Sequence, residues 1–363
     1  MGTNKELESK LSRMYALLDQ HHVDGLLLRR ISSFAWATCG ADSYINTAAT
    51  EGAASLFITR ERRYLLTNNI EAPRLEREFG LADQGWEFLV SPWTEPLKEL
   101  NKLVAGKSIA ADVPFPGAED VCGEVARLRS GLTETEGERF RALGELCAEA
   151  MVSALQAVHP GMSEYQIAAL VSSETLARGV LPIVNLVATD ERVYHYRHPL
   201  PTDKKLDKYA MLVLCGRKRG LVCSITRLIH FGPVPEELQN RILATAQVNA
   251  ALIEATRPGR SLGDIFAQEQ QLYADLGYPG EWQRHHQGGL TGYEPREFLA
   301  TPGSQEMVVA GQAFAWNPSI SGAKVEDTIL VRAAENEIIT QTPSLPSTVI
   351  HGIPCALALE VNS

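Results

Sequence analysis

A glycine-rich run crowded with ionisable side chains, at residues 285–297, constrains this chain more than any other segment. It reads His-His-Gln-Gly-Gly-Leu-Thr-Gly-Tyr-Glu-Pro-Arg-Glu. Glycines let the backbone approach a ligand closely, and imidazole, carboxylate and guanidinium groups are costly to bury unless they are paired or functional. The run therefore predicts a polar ligand site.

Composition limits the possible binding partners and the cellular location. The net charge of -10 argues against a nucleic-acid partner and against an anionic membrane surface. The six cysteines are scattered without CxxC spacing, so they indicate neither a disulfide framework nor a zinc knuckle and favour reduced thiols in a cytosolic protein. The polar N-terminus lacks the apolar core of a signal peptide, and no apolar run approaches the ~20 residues of a membrane span.

The 363 residues are enough for roughly two domains. Residues 1–132 alternate helix, strand and hairpin patterns and predict an α/β domain. Thr133–Glu136 resembles a capping box that opens a long helix. Residues 133–345 then predict an antiparallel sheet covered by helix pairs, an α+β fold, and residues 346–363 a C-terminal tail.

Four motifs occur in an order that is typical of one family: His198–Asp203, Ser224–Arg227, His286–Glu294 and Glu326–Thr328. In these motifs the chain resembles the creatinase, aminopeptidase P and prolidase family, which has the pita-bread fold. The resemblance implies an α+β protein with a creatinase/prolidase-type N-terminal domain, followed by a pita-bread domain. It also implies a homodimer acting on a small-molecule substrate.

The metallopeptidases of this family hold two metal ions with two aspartates, one histidine and two glutamates. The matching positions here are Leu214, Ser224, His286, Asn317 and Glu326. Three of the five ligands are therefore lost, and each loss removes a carboxylate. One carboxylate cannot offset the cost of desolvating two dications. We expect no dinuclear metal site and no cofactor; a single ion on His286, Glu326 and Glu294 would bind loosely.

The remaining polar residues suggest a catalytic site that works without metal, for which creatinase is the precedent in the family. The predicted catalytic residues are His198 as general acid or base, His286 as proton shuttle or oxyanion contact, and Glu326 as a partner for a substrate cation or for His286. The alternative for His198 is a loop histidine that is hydrogen-bonded to the backbone. The alternative for Glu326 is a buried carboxylate whose hydrogen bonds are satisfied within the protein. His285 should point away from His286 if the segment is extended.

Six further residues are predicted to bind substrate, each from its motif position or its chemistry. Arg296 could hold a carboxylate or form a salt bridge with Glu294 or Glu297. Ser224 is also a nucleophile candidate, although no nucleophile-elbow glycine pattern surrounds it. The six predicted substrate-binding residues are Tyr293, Glu294, Arg296, Asn317, Ser224 and Arg227.

The sequence thus predicts a cytoplasmic, metal-independent hydrolase that cleaves a C–N bond of a small amide, amidine or aminoacyl compound. A second hypothesis is a metal-dependent Xaa-Pro aminopeptidase or dipeptidase with an altered mononuclear site. A third is a pita-bread binding module without catalysis, and a lyase on the same scaffold is a further alternative.

Overall fold

The computed structural model describes residues 2–362, with side chains from residue 5 onward. Met1 and Ser363, the outer ends of the predicted first domain and tail, lie outside the described residues. The chain folds into two compact units, one of Met1–Thr135 with Arg219–Leu221 and one of Glu136–Lys218 with Val222–Ser363. The division falls within the Thr133–Glu136 segment that the sequence marks as a helix start.

The first unit is an α/β layer. Strand β1 is apolar over its first four residues, as a central strand requires, and it pairs antiparallel with β2 and parallel with β5. The sheet order is β4-β3-β2-β1-β5-β6. The elements are α1 (Gly2–His21), β1 (Gly25–Arg30), α2 (Ile31–Ala37), β2 (Glu51–Ile58), β3 (Arg63–Asn68), α3 (Ala72–Arg77), β4 (Glu87–Ser91), α4 (Lys98–Val104), β5 (Ile109–Ala111), β6 (Ala118–Asp120) and α5 (Cys122–Ser130).

The second unit combines long helices with short antiparallel strands, so the predicted α+β class is confirmed. Its helices are α6 (Glu134–Ala157), α7 (Glu164–Ala177), α8 (Glu191–His195), α9 (Glu236–Ala255) and α10 (Leu262–Asp275). Its strands are β7 (Leu181–Thr189), β8 (Tyr209–Lys218), β9 (Leu221–Phe231), β10 (Gly288–Thr291), β11 (Phe298–Leu299), β12 (Ala313–Trp316), β13 (Ser319–Ile320), β14 (Ala323–Lys324), β15 (Asp327–Leu330), β16 (Glu337–Ile338), β17 (Ser347–Ile350), β18 (Ile353–Ala356) and β19 (Leu359–Val361).

Helix starts follow the capping chemistry of the sequence. Ser163 caps α7 by accepting from the Gln166 N–H, and the Gln166 side chain accepts from the Ser163 N–H, which forms a complete capping box. Ser261 caps α10 by accepting from the Asp264 N–H. These caps fix the first turns of α7 and α10.

Two sheets of the second unit meet at the candidate site. One has the order β19-β9-β8-β7 and the other β11-β10-β12-β15-β16. A single antiparallel bridge between Thr226 and Glu326 links β9 to the start of β15. At this bridge the side chains of the two sheets meet, because Thr226 Oγ1 donates to Glu326 Oε2.

The segment 346–363, expected as a tail, is instead part of this architecture. It forms the β17–β18 hairpin, and β19 then adds to the edge of β9 in parallel. Its apolar residues supply the physical reason, because Cys355 is fully buried and packs against α9 residues such as Ala246.

The core of the second unit lies between α9, α10 and the second sheet. Its largest buried side chains there are Trp316, Tyr273 and Phe314. The Trp316 indole N–H donates to Thr256 Oγ1 at 2.9 Å, which satisfies the polar end of a fully buried ring. Among the helices described, none has the length and apolar character to cross a membrane.

Candidate active site

Three histidines gather at one point of the second unit. His198 lies on the loop after α8, and His285 and His286 lie between a 3₁₀ turn (Glu281–Arg284) and β10. The Nε2 atoms of His198 and His285 are 3.1 Å apart, a hydrogen bond in which one ring donates. The His286 ring centroid lies 4.5 Å from that of His285 and 5.4 Å from that of His198.

The prediction that His285 points away from His286 is wrong. The two neighbouring rings are stacked, with 29° between their planes. Side chains alternate across a paired strand, but β10 begins only at Gly288, so that rule does not apply at residues 285 and 286. His285 is buried, whereas His198 is exposed at the edge of the group.

The paired glycines after these histidines serve strand packing. Gly288 and Gly289 have φ values of +110° and +150°, a region that side chains rarely adopt. A Cβ on Gly288 would lie 2.2 Å from the Ala315 carbonyl oxygen, and one on Gly289 would lie 2.2 Å from that of Phe298. The sequence predicted that the backbone of these glycines would lie close to a ligand, but it lies close to the neighbouring strands. This packing fixes the backbone that follows His286.

Beside the histidines lies a cluster of three buried ionic groups, Arg296, Glu326 and Lys324, called the ion triad below. Arg296 Nη2 is 3.0 Å from Glu326 Oε1, and Lys324 Nζ is 3.1 Å from Glu326 Oε2. Thr226 Oγ1 donates to the same Oε2 at 2.7 Å. Lys324 and Glu326 are two residues apart at the end of the β13–β14 hairpin and reach the same side.

The ion triad controls the charge state of the site. Burial alone would raise the pKa of Glu326, but Lys324 and Arg296, with the Thr226 hydrogen bond, lower it to about 2. Burial, followed by the charge of Arg296, lowers the pKa of His286 to about 4. Burial and Lys324 also lower the pKa values of His198 and His285. These shifts favour the neutral form of all three imidazoles at pH 7.

Arg296 points into the site and is bound to Glu326, a partner that the sequence alternatives did not include. Besides its contact with Glu326, its Nη1 donates to Ser224 Oγ at 3.4 Å. Ser224 is fully buried and lies 3.2 Å from Cys215 Sγ, and burial raises the pKa of that thiol to about 11. An un-ionised thiol gives Ser224 no base, so the contact does not support a nucleophilic serine.

Several buried polar atoms have no partner among the described residues. They include Arg296 Nε, His286 Nδ1 and Asn317 Oδ1. The Asn317 backbone N–H donates to the Gln287 carbonyl at 3.0 Å, which keeps Asn317 next to the histidine segment. Buried polar atoms are normally bonded to protein or to ordered water, so these three are open to water or to a polar ligand.

Two of the predicted substrate-binding residues are engaged elsewhere. The Tyr293 hydroxyl is buried and donates to Glu136 Oε1 at 2.6 Å. Arg227 is buried in bonds to Asp327, Thr342 and backbone carbonyls. Neither side chain is available to a substrate. Glu294 is half-buried in a turn whose N–H groups at residues 293 and 294 donate to Glu297.

The predicted role of Glu326 as a partner for a substrate cation is also wrong. Both of its oxygens are already bound to cations, and the side chain is only 2% exposed. The sequence reasoning missed Lys324, which supplies one of these cations. Its signal was the spacing Lys-Val-Glu, which puts Lys324 and Glu326 on one face of an extended segment.

Comparisons with known proteins agree with the motif order. A family model described as metallopeptidase family M24 matches residues 138–333, more than half of the chain. A Xaa-Pro dipeptidase of Pyrococcus horikoshii is 23% identical over 354 residues, which cover 93% of this chain and 98% of that protein. An uncharacterized peptidase of Staphylococcus haemolyticus is 26% identical over 233 residues, which cover 61% of this chain and 65% of that protein.

A solved structure extends the similarity to the fold. The crystal structure of the prolidase from Pyrococcus horikoshii OT3 matches with a TM-score of 0.79 at 18% identity, over 92% of this chain and 98% of that one. The pita-bread architecture is therefore confirmed. On the family model and the motifs together, the chain belongs to metallopeptidase family M24.

Proposed function

We propose that the protein hydrolyses a C–N bond of a small polar compound without a metal ion, with His198 as general acid and base. Membership of family M24 supports a hydrolase acting on C–N bonds. The finer statement, that no metal takes part, rests on the ion triad. The homodimer and the cytoplasmic location expected from the sequence remain predictions.

The observation that carries the proposal is the occupation of the Glu326 carboxylate by Arg296 and Lys324. Of the five family ligand positions only His286 and Glu326 retain a metal-binding group, and Glu326 has no oxygen left uncompensated. Two buried side-chain cations would also repel a dication at short range. The residues present therefore do not fit the family's metal pair.

In the proposed reaction the histidines move the proton. Neutral His198 accepts a proton from water as the water oxygen bonds to the substrate carbon. The same imidazolium then gives the proton to the leaving nitrogen as the C–N bond breaks. His285, bonded to His198 through Nε2, holds the ring in place. Charge that develops on the substrate oxygen is stabilised by the ion triad and by His286.

Metal analysis with a chelator test decides between this mechanism and the metallopeptidase mechanism. Protein purified without added metal would be treated with a chelator and assayed on small amides, guanidino acids and Xaa-Pro dipeptides. We expect turnover to persist with no stoichiometric metal bound. Activity that disappears with the chelator and returns with a divalent ion would overturn metal independence.

A second candidate has one specific observation in its favour. The ligand atoms of His198, His285 and His286 lie within 4.8 Å of one another, and three neutral imidazoles suit a single zinc-like ion. That arrangement would make the protein a mononuclear metallopeptidase, with Xaa-Pro substrates by similarity to its relative. The positive charges of Lys324 and Arg296 weigh against it, and the metal analysis above separates the two.

A further inference from the structure

The hydrogen bond between His198 and His285 occupies one nitrogen of each ring. Their Nε2 atoms are 3.1 Å apart, and a neutral imidazole has one N–H donor and one acceptor nitrogen. One Nε2 therefore carries the shared proton and the other accepts it. Each arrangement also fixes the second nitrogen, because the ring that donates through Nε2 has a bare Nδ1, and the ring that accepts through Nε2 carries its proton on Nδ1.

Only one of these two arrangements leaves His198 able to take a proton. If His285 donates, His198 accepts through Nε2 and carries its proton on Nδ1, so the ring has no lone pair left for water. If His198 donates, its Nδ1 is bare, and this ring lies at the exposed edge of the histidine group. A general base at His198 then acts through Nδ1. In this arrangement His285 carries its own proton on Nδ1 and needs an acceptor there.

Ser319 supplies an acceptor for His285. Its Oγ lies 3.4 Å from His285 Nδ1, and the serine is fully buried, while His285 is only 8% exposed. Burial lowers the pKa of His285, which favours the neutral ring with a single N–H. Because a buried N–H without an acceptor is costly, the serine hydroxyl favours the tautomer of His285 that is protonated on Nδ1.

A closed set of hydrogen bonds holds this serine against the histidine. The Ser319 N–H donates to the Tyr273 hydroxyl at 3.0 Å, and that hydroxyl donates to Gln287 Oε1 at 2.9 Å. The Gln287 side-chain amide donates to the His285 carbonyl at 2.6 Å. All four residues are buried, so the network limits the movement of Ser319 Oγ relative to His285 Nδ1.

From this network we infer that His285 and Ser319 are positioning residues, which keep the proton of His198 on Nε2 and leave Nδ1 as the catalytic base. The inference rests on the proposed function, because it takes His198 as the general acid and base. Nδ1 receives a proton from water as the water oxygen bonds to the substrate carbon, and it gives that proton to the leaving nitrogen as the C–N bond breaks. The Nε2 proton stays in the bond to His285 throughout. A hydrogen-bonded neighbour that fixes the tautomer of a working histidine is a recurring arrangement in enzymes.

The tautomers can be measured without any turnover. Chelator-treated protein with nitrogen-15-labelled histidine would be studied at about pH 8 by proton–nitrogen correlation NMR, which distinguishes bare from protonated ring nitrogens. Spectra of His198→Gln and His285→Gln would assign the two rings among the nine histidines. We expect His198 to be protonated on Nε2 and His285 on Nδ1. A His198 ring protonated on Nδ1, or an even mixture of its tautomers, would overturn the inference.

Ser319→Ala tests the role of the serine. The His285 Nδ1–H loses its acceptor, so its proton should move to Nε2, and His198 should then be protonated on Nδ1. On the substrate found by screening, kcat should fall about tenfold or more while KM changes little. Ser319→Thr keeps the hydroxyl and should keep both tautomers. Ser321→Ala is the matched control, since the Ser321 hydroxyl donates to the Tyr194 carbonyl, and it should alter neither tautomers nor kcat. Circular dichroism would check that each variant is folded.

The outcomes separate this inference from the proposed function. Unchanged tautomers in Ser319→Ala would overturn the role of the serine, as would an equal loss of kcat in Ser321→Ala. The expected tautomers in a protein that cleaves no C–N bond would refute the proposed function alone. Metal-independent hydrolysis by a protein whose His198 is protonated on Nδ1 would refute this inference alone.

Discussion

Two arginine–carboxylate contacts lie next to each other in this protein, and they differ in how completely they are satisfied. Arg227 Nη2 is 2.8 Å from Asp327 Oδ1, and all five of its N–H donors have acceptors at 2.8–3.2 Å. Arg296 is bound to Glu326, the residue before Asp327, and shares that carboxylate with Lys324; its buried Nε–H has no partner among the described residues. The first contact is complete within the chain, and the second leaves a donor for water or a ligand.

Two neighbouring carboxylates, Glu326 and Asp327, thus have different roles. A saturated pair that joins β9 to β15 holds the two sheets together, and every side-chain donor of Arg227 already has an acceptor within the chain. The ion triad keeps a buried donor unpaired. Such a donor lowers the stability of the folded state and is typical of a functional site. The following predictions test that division, beginning with the largest expected effect.

Replacing Arg227 by methionine should cause the largest loss of stability. The change leaves Asp327 buried without its counterion, which costs about 3–5 kcal/mol. Urea unfolding followed by circular dichroism would measure it. The control is Arg332→Met, whose partner Glu337 is half-exposed, and a change of about 0.5 kcal/mol or less is expected there. Similar losses in both variants would mean that the saturated network does not stabilise the protein.

Replacing His198 by alanine should mainly affect turnover. A general acid–base group contributes about 10²-fold or more to kcat, and an exposed loop residue contributes little to stability. The measurement is kcat on the substrate identified by screening, together with urea unfolding. His195→Ala is the matched control, since His195 is an exposed histidine three residues earlier and should leave kcat unchanged. Normal turnover in His198→Ala would remove this residue from the mechanism.

Glu269 is a third buried carboxylate in the second unit, and unlike Glu326 and Asp327 it has no cationic partner among the described residues. Both of its oxygens are buried without a partner among the described residues, and burial raises its pKa well above the usual range. The folded state then holds this proton more tightly than the unfolded state. Glu269 therefore favours folding below its unfolded pKa of about 4.3, and that contribution is lost as pH rises toward the folded pKa.

Glu269→Gln should remove this pH dependence, because glutamine resembles the protonated acid. The difference in unfolding free energy between the variant and the parent should grow by about 1.4 kcal/mol per pH unit above pH ~4.3, until the folded pKa is reached. Urea unfolding between pH 4 and pH 8 measures it. Glu145→Gln, at an exposed position of α6, should give a flat difference. A flat difference for Glu269→Gln as well would show that the carboxylate has a partner in solution.

The sequence predicted the fold far better than it predicted the charges at the site. The order of the four motifs and the helix caps anticipated the α+β fold, and residues 198, 286, 296, 317 and 326 do come together. Motif position alone could not tell which arginine is saturated. Both Arg227 and Arg296 lie in family motifs and were predicted to bind substrate. Only Arg227 has acceptors for all of its donors, because Thr342 Oγ1 and the Thr340 carbonyl reach it from later in the chain.

Two further errors have similar causes. Tyr293 was expected to bind substrate, but Glu136, far away in the sequence, takes its hydroxyl hydrogen bond. The family pattern gives Lys324 no role, so the charge balance over the five ligand positions leaves out its positive charge. In both cases the decisive partner is distant in sequence or outside the motif, and only tertiary structure brings the groups together.

The smallest expected effect is the loss of stability in Arg296→Met, and it is the sharpest test of the comparison. Glu326 would keep Lys324 and the Thr226 hydroxyl as partners, and methionine would fill the space without an unpaired donor. The remaining Lys324–Glu326 pair is charge-neutral, so the change leaves no buried ion without a counterion, and we expect a change within about 1 kcal/mol in urea unfolding. A loss as large as that of Arg227→Met would mean that both arginines serve stability, and that the unpaired donor of Arg296 marks no ligand site.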